Sequence, residues 1–584
     1  MAMRPLLTLI FLACLFVAAC GGGGGDNTDQ FSVGNISGPS SVNEDSQAAY
    51  GITAVGDTGI GYQWAVDPPG CGTFTNQTSA IATFNAGKVD ADTAVTIRVT
   101  VSSDHHSSEI RSVAVTIRNL LPPGWSRTSG GTGFDAGYAS AVDNIGNLYV
   151  TGVFMGTFDF DPPNNVTRSS HGGYDAFLLK YNPQGSLQWV RTWGGSIWDE
   201  GFGLAVDPAG AVYVTGWFQD EADFDPGPDV DWHASCGSLD CFLSKFDADG
   251  DYQWALTWGS YYWDQAQSVA ADASGNVYVT GFFAGEMDMD PGAGIDIHSR
   301  IASNDVFLSK FDSYGNYQWG LTWDGEKGLS VATDSQGAVY VSGIFNRTID
   351  FNPGVGTDLH AAAGAYNDAF LSKFDQGGLF QWARTWGGSY DWDQARQVAV
   401  DALGGVYVTG YFQGNVDFNP GLGEDWHQSV ANEVPGWNPH VNVFLSKFDS
   451  SGDFKWARTW GGGWDDASER LDIDYAGNVY VAGRFADVVD FDPGDSVRSI
   501  TSNGGNDIFV SKFAPSGDYR WTFTVGGSGD EAAWGISVLS DGYLYLTGLF
   551  HETVDFDPGA GSDVHTAEGE ADIFAAKIIS QDVY

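Results

Sequence analysis

The phrase Asp-Phe-Asp-Pro-Gly, with small variations, occurs seven times in this chain of 584 residues. Its copies start at Asp159, Asp223, Asp288, Asp350, Asp417, Asp490 and Asp555. Each copy follows a strand-like phrase such as Val277–Gly281 and precedes a Phe-x-x-Lys phrase such as Phe307–Lys310. A chain that repeats one pattern at this spacing folds as stacked copies of one structural element, and each copy is stabilised by its neighbours.

Each repeat predicts four short antiparallel strands. In the third repeat they are Gln267–Ala271, Val277–Thr280, Phe307–Phe311 and Tyr317–Thr322. Between them, Asp272–Asn276 and Asp312–Asn316 contain the Asp and Gly residues that tight turns favour. Four-stranded elements repeated four to eight times are typical of a β-propeller. The chain therefore predicts an all-β fold with a seven-bladed β-propeller over residues 120–584.

The seventh repeat lacks its fourth strand. It ends after Phe574–Ile578, without the Trp that follows the Lys in the other six repeats. A matching phrase stands ahead of the first repeat, where Trp125–Thr128 resembles Trp382–Thr385. We therefore predict that residues 124–129 complete the last blade and close the ring. Strands this short disfavour a transmembrane barrel, whose strands need about nine to eleven residues.

Residues 31–119 predict a separate small β-sandwich. Short stretches rich in β-branched residues, such as Val95–Val101 and Val113–Ile117, alternate with turn residues. The stretches Tyr62–Trp64 and Ala82–Phe84 resemble those of the PKD or Ig-like modules of bacterial surface proteins. That resemblance implies a spacer, and Leu120–Gly124 marks the boundary.

The repeats also resemble the bacterial SBBP-type β-propeller repeat. Its pattern of Trp-Gly-Gly, an Asp, and Asp-x-x-Gly-Asn-Val-Tyr-Val-Thr-Gly is almost intact at Trp258–Gly281, and the resemblance covers residues 124–578. It implies a propeller but no agreed activity. The usual repeat lacks the Asp-Phe-Asp-Pro-Gly phrase, so the function of that phrase has to come from its own residues.

The first twenty residues have the layout of an export signal, with Arg4 ahead of the apolar run Leu6–Ala19. Val17–Cys20 resembles the lipobox of bacterial lipoproteins, which implies that Cys20 is lipidated. A plain signal peptide with a chance cysteine is the alternative. Residues 21–30 form a glycine-rich tether. Gly21 after the cysteine implies an exported protein that lipid anchors in the outer membrane or at the cell surface.

The charge balance limits the partners of the protein. Asp and Glu number 74 against 26 Lys and Arg, which gives a formal net charge of −48. A general nucleic-acid binder needs a cationic surface, so nucleic acid is excluded as a partner. The same charge disfavours docking of the protein surface on anionic lipid, so we expect membrane contact through the N-terminal lipid alone.

The repeated acidic phrase suggests a calcium site. Its extended form is Asp-x-Asp/Asn-Pro-Gly-x-x-x-Asp, and its acids are Asp223, Asp225 and Asp231; Asp288, Asp290 and Asp296; Asp350 and Asp358; Asp417 and Asp425; and Asp555, Asp557 and Asp563. Alternate side-chain oxygens before a sharp turn suit Ca²⁺. The alternative is a loop whose Asp side chains accept its own backbone N–H groups.

Antiparallel topology places the long second-to-third connections and the Trp-Gly-Gly segments on one face. This face is acidic, aromatic and, on this prediction, irregular. Its acids include Asp135, Asp199, Asp264, Asp393, Asp465 and Asp530. Three of its tryptophans, Trp232, Trp426 and Trp437, are candidates for stacking on sugar rings. Loops on rigid scaffolds are where binding usually occurs.

Three sets of residues give further hypotheses. Cys236 and Cys241 could form a disulfide, with two free thiols as the alternative. The third-strand lysines, such as Lys180, are expected to pair with the Asp five residues earlier or to extend their stems over apolar surface. The histidines that follow the acidic phrase are expected to pack within their own loops; they are His233, His298, His360, His427 and His565.

Catalysis is the less favoured interpretation of the sequence. There is no Gly-x-Ser-x-Gly phrase for a nucleophilic serine, although an acidic face offers carboxylate pairs that could cleave glycosides. The fifth repeat carries an insertion, Val430–Asn442, with Trp437 and His440. We therefore predict a lipid-anchored envelope protein whose loop face binds a protein or a glycan. A hydrolase or lyase that acts on extracellular polysaccharide is the alternative.

Overall fold

The fold comes from a computed structural model. It describes residues 31–579 except 44–45, 87–92, 119–123, 302–303, 365, 390–391, 431–438, 540–541 and 559–561. The chain divides into two compact units, Met1–Pro122 and Pro123–Tyr584. All regular secondary structure in the described residues is β-strand, and these residues contain no apolar helix of membrane-spanning length. The predicted signal, Cys20 and the tether at 21–30 lie outside the described residues.

The N-terminal unit contains nine described strands. They are β1 (Ser32–Val33), β2 (Ser41–Asn43), β3 (Gln47–Gly51), β4 (Ala54–Val55), β5 (Gly61–Asp67), β6 (Gly72–Thr75), β7 (Ile81–Ala86), β8 (Thr93–Ser102) and β9 (Glu109–Arg118). One sheet has the order β2-β9-β8-β5 and another has the order β3-β7-β6. Both contribute to one apolar cluster around Tyr50, Trp64 and Phe84. Two sheets around one core make this unit a small β-sandwich.

The C-terminal unit begins with β10 (Trp125–Gly131) and continues with seven repeats. Repeat 1 has β11 (Ala136–Val142), β12 (Leu148–Asp159), β13 (Thr167–Tyr181) and β14 (Leu187–Gly195). Repeat 2 has β15 (Asp199–Val206), β16 (Val212–Asp223), β17 (Trp232–Phe246) and β18 (Tyr252–Trp258). Repeat 3 has β19 (Gln265–Ala271), β20 (Val277–Phe283), β21 (Glu286–Asp288), β22 (Ile297–Ser299), β23 (Asn304–Phe311) and β24 (Tyr317–Gly325).

The remaining repeats follow the same plan. Repeat 4 has β25 (Lys327–Thr333), β26 (Val339–Phe345), β27 (Thr348–Asp350), β28 (Leu359–Ala361), β29 (Asp368–Phe374) and β30 (Phe380–Trp386). Repeat 5 has β31 (Gln394–Val400), β32 (Val406–Gln413), β33 (Asn415–Asp417), β34 (Trp426–Gln428), β35 (Val441–Phe448) and β36 (Phe454–Gly462). Repeat 6 has β37 (Ala467–Ile473), β38 (Val479–Phe485), β39 (Val488–Asp490), β40 (Ser499–Thr501), β41 (Asp507–Phe513) and β42 (Tyr519–Val525). Repeat 7 has β43 (Ala532–Val538), β44 (Tyr543–Phe550), β45 (Thr553–Asp555), β46 (Val564–Thr566) and β47 (Asp572–Ile579).

Each repeat pairs its long strands antiparallel in chain order, as in the sheet β19-β20-β23-β24. In repeat 7 the order is β43-β44-β47-β10, so the fourth strand comes from the N-terminal side of the unit. The register of β10 with β47 runs from Trp125 opposite Lys577 to Ser129 opposite Ile573. These sheets confirm the prediction of an all-β repeat fold of the propeller-like kind.

The first strands of successive repeats pack side by side, from β11 through β15, β19, β25, β31 and β37 to β43, and β43 in turn packs against β11. Residues from the first strands of all seven repeats line one small cavity of about 100 Å³. We call it the central cavity. First strands that contribute to the same cavity lie around a common axis.

Apolar packing between neighbouring sheets explains why the repeats associate. The second strands carry the Val-Tyr-Val-Thr-Gly phrase, and every residue of Val277–Phe283 is buried. Trp193 of repeat 1 packs against Phe242 and Phe246 of repeat 2, with ring centroids 6.2 and 5.3 Å apart. A sheet that is apolar on both faces needs a neighbour on each side, and the repeats supply those neighbours.

The third-strand lysines join one repeat to the next, and the predicted ion pair is wrong. Lys180 donates from Nζ to the Ala248 carbonyl of repeat 2 at 2.8 Å and lies over the Tyr149 ring at 5.0 Å. Lys245 makes the same contacts with Ser313 O and Tyr213. Residues five apart on a strand point to opposite faces, so the Asp five positions earlier faces away from the lysine.

Candidate functional site

The connections between second and third strands are regular, which corrects the prediction of an irregular face. In repeats 3 to 7 they form short antiparallel strand pairs such as Glu286–Asp288 with Ile297–Ser299. In repeats 1 and 2 the same pairing continues from the long strands, for example Asp223 opposite Trp232. We call these two-stranded segments the acidic ribbons, because the Asp-Phe-Asp-Pro-Gly phrase lies at their tips.

The Asp side chains of each ribbon accept hydrogen bonds from the ribbon itself. Asp223 Oδ1 accepts the N–H groups of Asp225 at 3.2 Å and of Asp231 at 2.8 Å. Asp225 Oδ1 accepts the Gly227 N–H at 2.7 Å. The first Asp accepts the same pair of bonds at positions 288, 350, 417 and 555. The phrase therefore forms a turn in which the Asp side chains accept backbone N–H groups.

The last Asp of a ribbon and the histidine after it are held by the neighbouring fourth strand. Tyr317 donates its hydroxyl to Asp296 at 2.6 Å. His298 lies 2.8 Å from Thr322 Oγ1 through Nδ1 and 3.4 Å from Asp296 through Nε2. In the described residues, no three His, Cys, Asp or Glu side chains are placed to share a metal ion. Calcium binding by the nine predicted ligands of repeats 2, 3 and 7 remains a prediction.

In every repeat except the fourth, a buried carboxylate links the repeat to the one before it. Asp199 accepts the Gly195 N–H at 2.6 Å, and Asp393 accepts the N–H groups of Gly388 at 2.7 Å and Gln413 at 2.9 Å. In repeats 6 and 7 this position is held by Asp466 and Glu531, next to the predicted face residues Asp465 and Asp530, which line a groove on that face. Asp466 and Glu531 are buried, whereas the side chain of Asp465 is 72% exposed. A phrase with two adjacent acids does not reveal which one points inward.

These carboxylates lie close to a second set of buried carboxylates, which belong to the third strands. A Cβ placed on Gly194 would lie 2.8 Å from Asp199 Oδ2 and 2.9 Å from Asp175 Oδ1, so both carboxyl groups reach the same glycine. This contact explains the glycine after the tryptophan in the repeat. Burial, with a smaller contribution from the charge of Asp175, raises the pKa of Asp199 to about 7. Burial raises the pKa of Asp393 to about 8 and that of Asp368 to about 6.

Exposed tryptophans lie on the same face as the ribbons. Trp232 and Trp426 are 60% and 54% exposed, as expected of stacking residues, while Trp437 lies outside the described residues. Sequence reasoning missed a second set, Trp198, Trp263, Trp392 and Trp464, which are also more than half exposed. Each precedes the buried acid by one or two residues, and this repeated Trp-Asp pair was the available signal.

Two grooves combine these aromatic residues with polar groups. The first has a volume of about 610 Å³ and is lined by Arg168, His171, Glu221, Asp223 and Trp232, among others. The second has a volume of about 750 Å³ and is lined by Trp464, Asp465, Arg484, Asn506 and Asp530, among others. Apolar rings beside hydrogen-bonding side chains are the surface that a polar organic ligand requires.

The predicted disulfide does not form in the structure. Cys236 is exposed and Cys241 is buried, both are free thiols, and both lie on β17. Five residues of strand span roughly 16 Å, whereas the Cα atoms of a disulfide lie within about 7 Å of each other. The structure therefore contains two free thiols, which was the alternative to the disulfide.

No known family profile matches the chain. It is 23% identical over 510 residues to an uncharacterised WD repeat-containing protein, L264, of Acanthamoeba polyphaga mimivirus, with 73% of this chain and 36% of that protein covered. It is 30% identical over 151 residues to regulatory protein FlaEY of Caulobacter vibrioides, with 25% and 15% covered. The chain thus matches about a third of the length of the first relative and less of the second. The WD-repeat similarity agrees with the all-β repeat fold.

The chain also aligns with the extracellular domain of a putative hybrid two-component system, BT4673, from B. thetaiotaomicron. The alignment covers 92% of this chain and 80% of that domain, at 10% identity and a TM-score of 0.15. A TM-score this low carries no argument about the fold.

Proposed function

We propose that this protein is a binding protein of the cell envelope, in which a closed seven-bladed β-propeller presents the acidic ribbon face to a protein or glycan partner. The observation that carries the proposal is the pair of grooves in which an exposed Trp lies beside carboxylate and guanidinium groups. The WD-repeat similarity supports a scaffold for interaction in general. The strongly acidic composition argues against nucleic acid as the partner.

The closed ring is supported by contacts at the junction of repeats 7 and 1. Arg127 donates from Nε to the Gly185 carbonyl at 2.7 Å, as Arg191 donates to Gly250 and Arg384 donates to Gly452 at the same distance. Trp125 lies against Gly185 as Trp189 lies against Gly250. The junction that contains the N-terminal strand is therefore built like the junctions inside the chain, as a seven-bladed ring requires.

Anchoring by lipid is a separate part of the proposal, and it rests on Val17–Cys20 in the sequence. Acyl chains would hold the protein at a membrane that its charge would otherwise repel. Labelling the full chain with a fatty-acid analogue in a bacterial host tests this part. We expect incorporation into the protein and none into the variant Cys20→Ala, while equal labelling of the two would contradict anchoring at Cys20.

The partner is tested with the purified mature chain on a glycan array and by crosslinking on intact envelopes. Trp464→Ala and Trp232→Ala each remove an aromatic surface from one groove, and we expect binding to weaken at least tenfold in one of them. Tyr314→Ala is the matched control, because Tyr314 is 81% exposed but lies in a third-to-fourth-strand turn, on the other face. Unchanged binding in both Trp variants would contradict the groove assignment.

The alternative of a polysaccharide hydrolase or lyase is tested on the same samples. The buried carboxylate pairs give it limited support, because they are enclosed among the repeats and accept backbone N–H groups. Binding without release of shorter products supports the binding protein. Release of reducing or unsaturated ends from a bound polysaccharide would establish the enzyme instead.

A further inference from the structure

The central cavity differs from the rest of this acidic protein in its charge. Its lining includes Arg470, Gln397, Gln267, Ser268 and Ser330, and no carboxylate of the described residues lines it. The seven first strands that surround it belong to a chain with a formal net charge of −48. Arg470 is half-buried at this cavity, and a partly desolvated cation without a carboxylate partner favours a negatively charged ligand.

Arg470 has little compensation from the protein. Its guanidinium donates from Nη1 to the Glu469 carbonyl oxygen at 3.1 Å, and no carboxylate of the described residues forms an ion pair with it. Glu469, whose charge acts on Arg470, is already paired with Arg396, whose Nε donates to it at 2.9 Å. Burial, together with the charge of Arg396, lowers the pKa of Arg470 to about 10.

A third cation adds to the positive charge. Lys327 lies over the Phe282 ring at 4.9 Å, and its pKa is lowered by burial and by the nearby Arg396. Glu326 also lies near Lys327, so this part of the inner strands holds three cations and two carboxylates, Glu326 and Glu469. The position occupied by Arg470 holds Ala139, Gly203 and Gly535 in repeats 1, 2 and 7, so the charge is a feature of this repeat and does not belong to the repeated pattern.

Three polar side chains of the cavity lining accept backbone N–H groups with their oxygens. Ser268 Oγ accepts the Val331 N–H at 3.2 Å, and Ser330 Oγ accepts the Val398 N–H at 3.3 Å. Gln397 Oε1 accepts the Leu471 N–H at 2.6 Å. Because these oxygens already accept backbone N–H groups, the hydroxyl hydrogens and the Gln397 amide N–H₂ remain available to donate.

We propose that the central cavity is a binding site for one small oxyanion, such as a carboxylate group or inorganic phosphate, held by Arg470 together with Gln397, Ser268 and Ser330. The guanidinium supplies charge and a planar pair of donors, which match an oxyanion. The cavity volume of about 100 Å³ corresponds to roughly three waters at about 30 Å³ each, so a sugar or nucleotide does not fit. This site is independent of the grooves on the ribbon face.

Thermal unfolding in formate, phosphate and chloride tests the proposal. Ionic strength is held constant with the bulky anion of MOPS, so that a rise in Tm reports binding to the folded state. We expect formate or phosphate to raise the Tm along a saturable curve, and the comparison of the two identifies the oxyanion. In Arg470→Gln the apparent affinity should fall at least tenfold, whereas Arg520→Gln, at an exposed arginine on β42, should respond like the natural protein.

A second variant covers the case in which Arg470→Gln does not fold. Gln397→Glu keeps the acceptor for the Leu471 N–H and places a carboxylate beside Arg470, so it supplies the missing negative charge from within the protein. This variant should be at least as stable as the natural chain and should no longer respond to formate or phosphate. No anion response in the natural chain, or the same response in Gln397→Glu and Arg520→Gln, would overturn the proposal.

Discussion

The indole N–H of Trp125 donates to the carbonyl oxygen of Pro183 at 3.1 Å, and this bond joins the strand that precedes the repeats to the third-to-fourth-strand turn of repeat 1. Strand β10 also pairs with β47 at the other end of the chain. Trp125 therefore lies where the first and last repeats come together.

Replacing Trp125 tests the strength of this junction. We expect Trp125→Ala to lower the free energy of unfolding by about 2–4 kcal/mol, because a half-buried aromatic ring and one hydrogen bond are lost. Trp456→Ala is the control, since Trp456 packs against Gly517 at the junction of repeats 5 and 6. Urea unfolding of both variants measures the loss, and a large cost at Trp456 with none at Trp125 would contradict an equivalent junction.

The buried carboxylates predict that stability falls as the pH rises. Their pKa values in the folded state, about 6 for Asp368 and about 8 for Asp393, lie above the value near 4 of an unfolded chain. The folded state therefore holds more protons between about pH 4 and pH 8, and the stability present below this window is lost through it. We expect a higher Tm at pH 5 than at pH 8, and the reverse order would contradict the assignment.

One amide substitution isolates this effect. Asn442 occupies in repeat 5 the third-strand position that Asp368 occupies in repeat 4. Asp368→Asn should stabilise the protein at pH 8 by on the order of 1 kcal/mol, since each pKa unit corresponds to about 1.4 kcal/mol, and should give no gain at pH 5. Asp465→Asn, at an exposed carboxylate, serves as the control and should change stability little at either pH.

The hydrogen bonds within the acidic ribbons predict the outcome of a calcium test. Asp223 Oδ1 already accepts two backbone N–H groups, so removal of Ca²⁺ with EGTA should leave the Tm unchanged. Asp223→Ala should cost about 1–2 kcal/mol with or without the ion, because two N–H groups lose their acceptor. A rise in Tm with Ca²⁺ that Asp223→Ala abolishes would instead establish a calcium site in the ribbon.

The two thiols on β17 predict unequal reactivity. Cys236 is exposed and should react with a thiol reagent in the folded protein, although burial and the nearby Asp240 raise its pKa and slow the reaction. Cys241 is fully buried and should react only after unfolding. Labelling followed by mass spectrometry separates the two sites, and a mass two units lower, restored by a reductant, would show the disulfide.

The repeated phrases predicted the strand order and the role of Trp125–Thr128 because backbone pairing depends on patterns common to all repeats. The three-residue strands of the ribbons, such as Glu286–Asp288, were missed because they are too short to show alternation. The inward position of Asp466 was not predicted, because two neighbouring acids give no information on which of them points into the core. Arg470 was missed for a different reason: it departs from the repeat, and a search for common residues discards it.

Amide hydrogen exchange of residues 126–129 tests the closed ring most directly. These residues pair with β47, and the equivalent residues 190–193 pair with β13 inside the chain. Closure predicts that the two segments exchange through the same cooperative opening, with protection factors within about tenfold of each other. Exchange of 126–129 at the rate of a frayed chain end, with 190–193 protected, would contradict it.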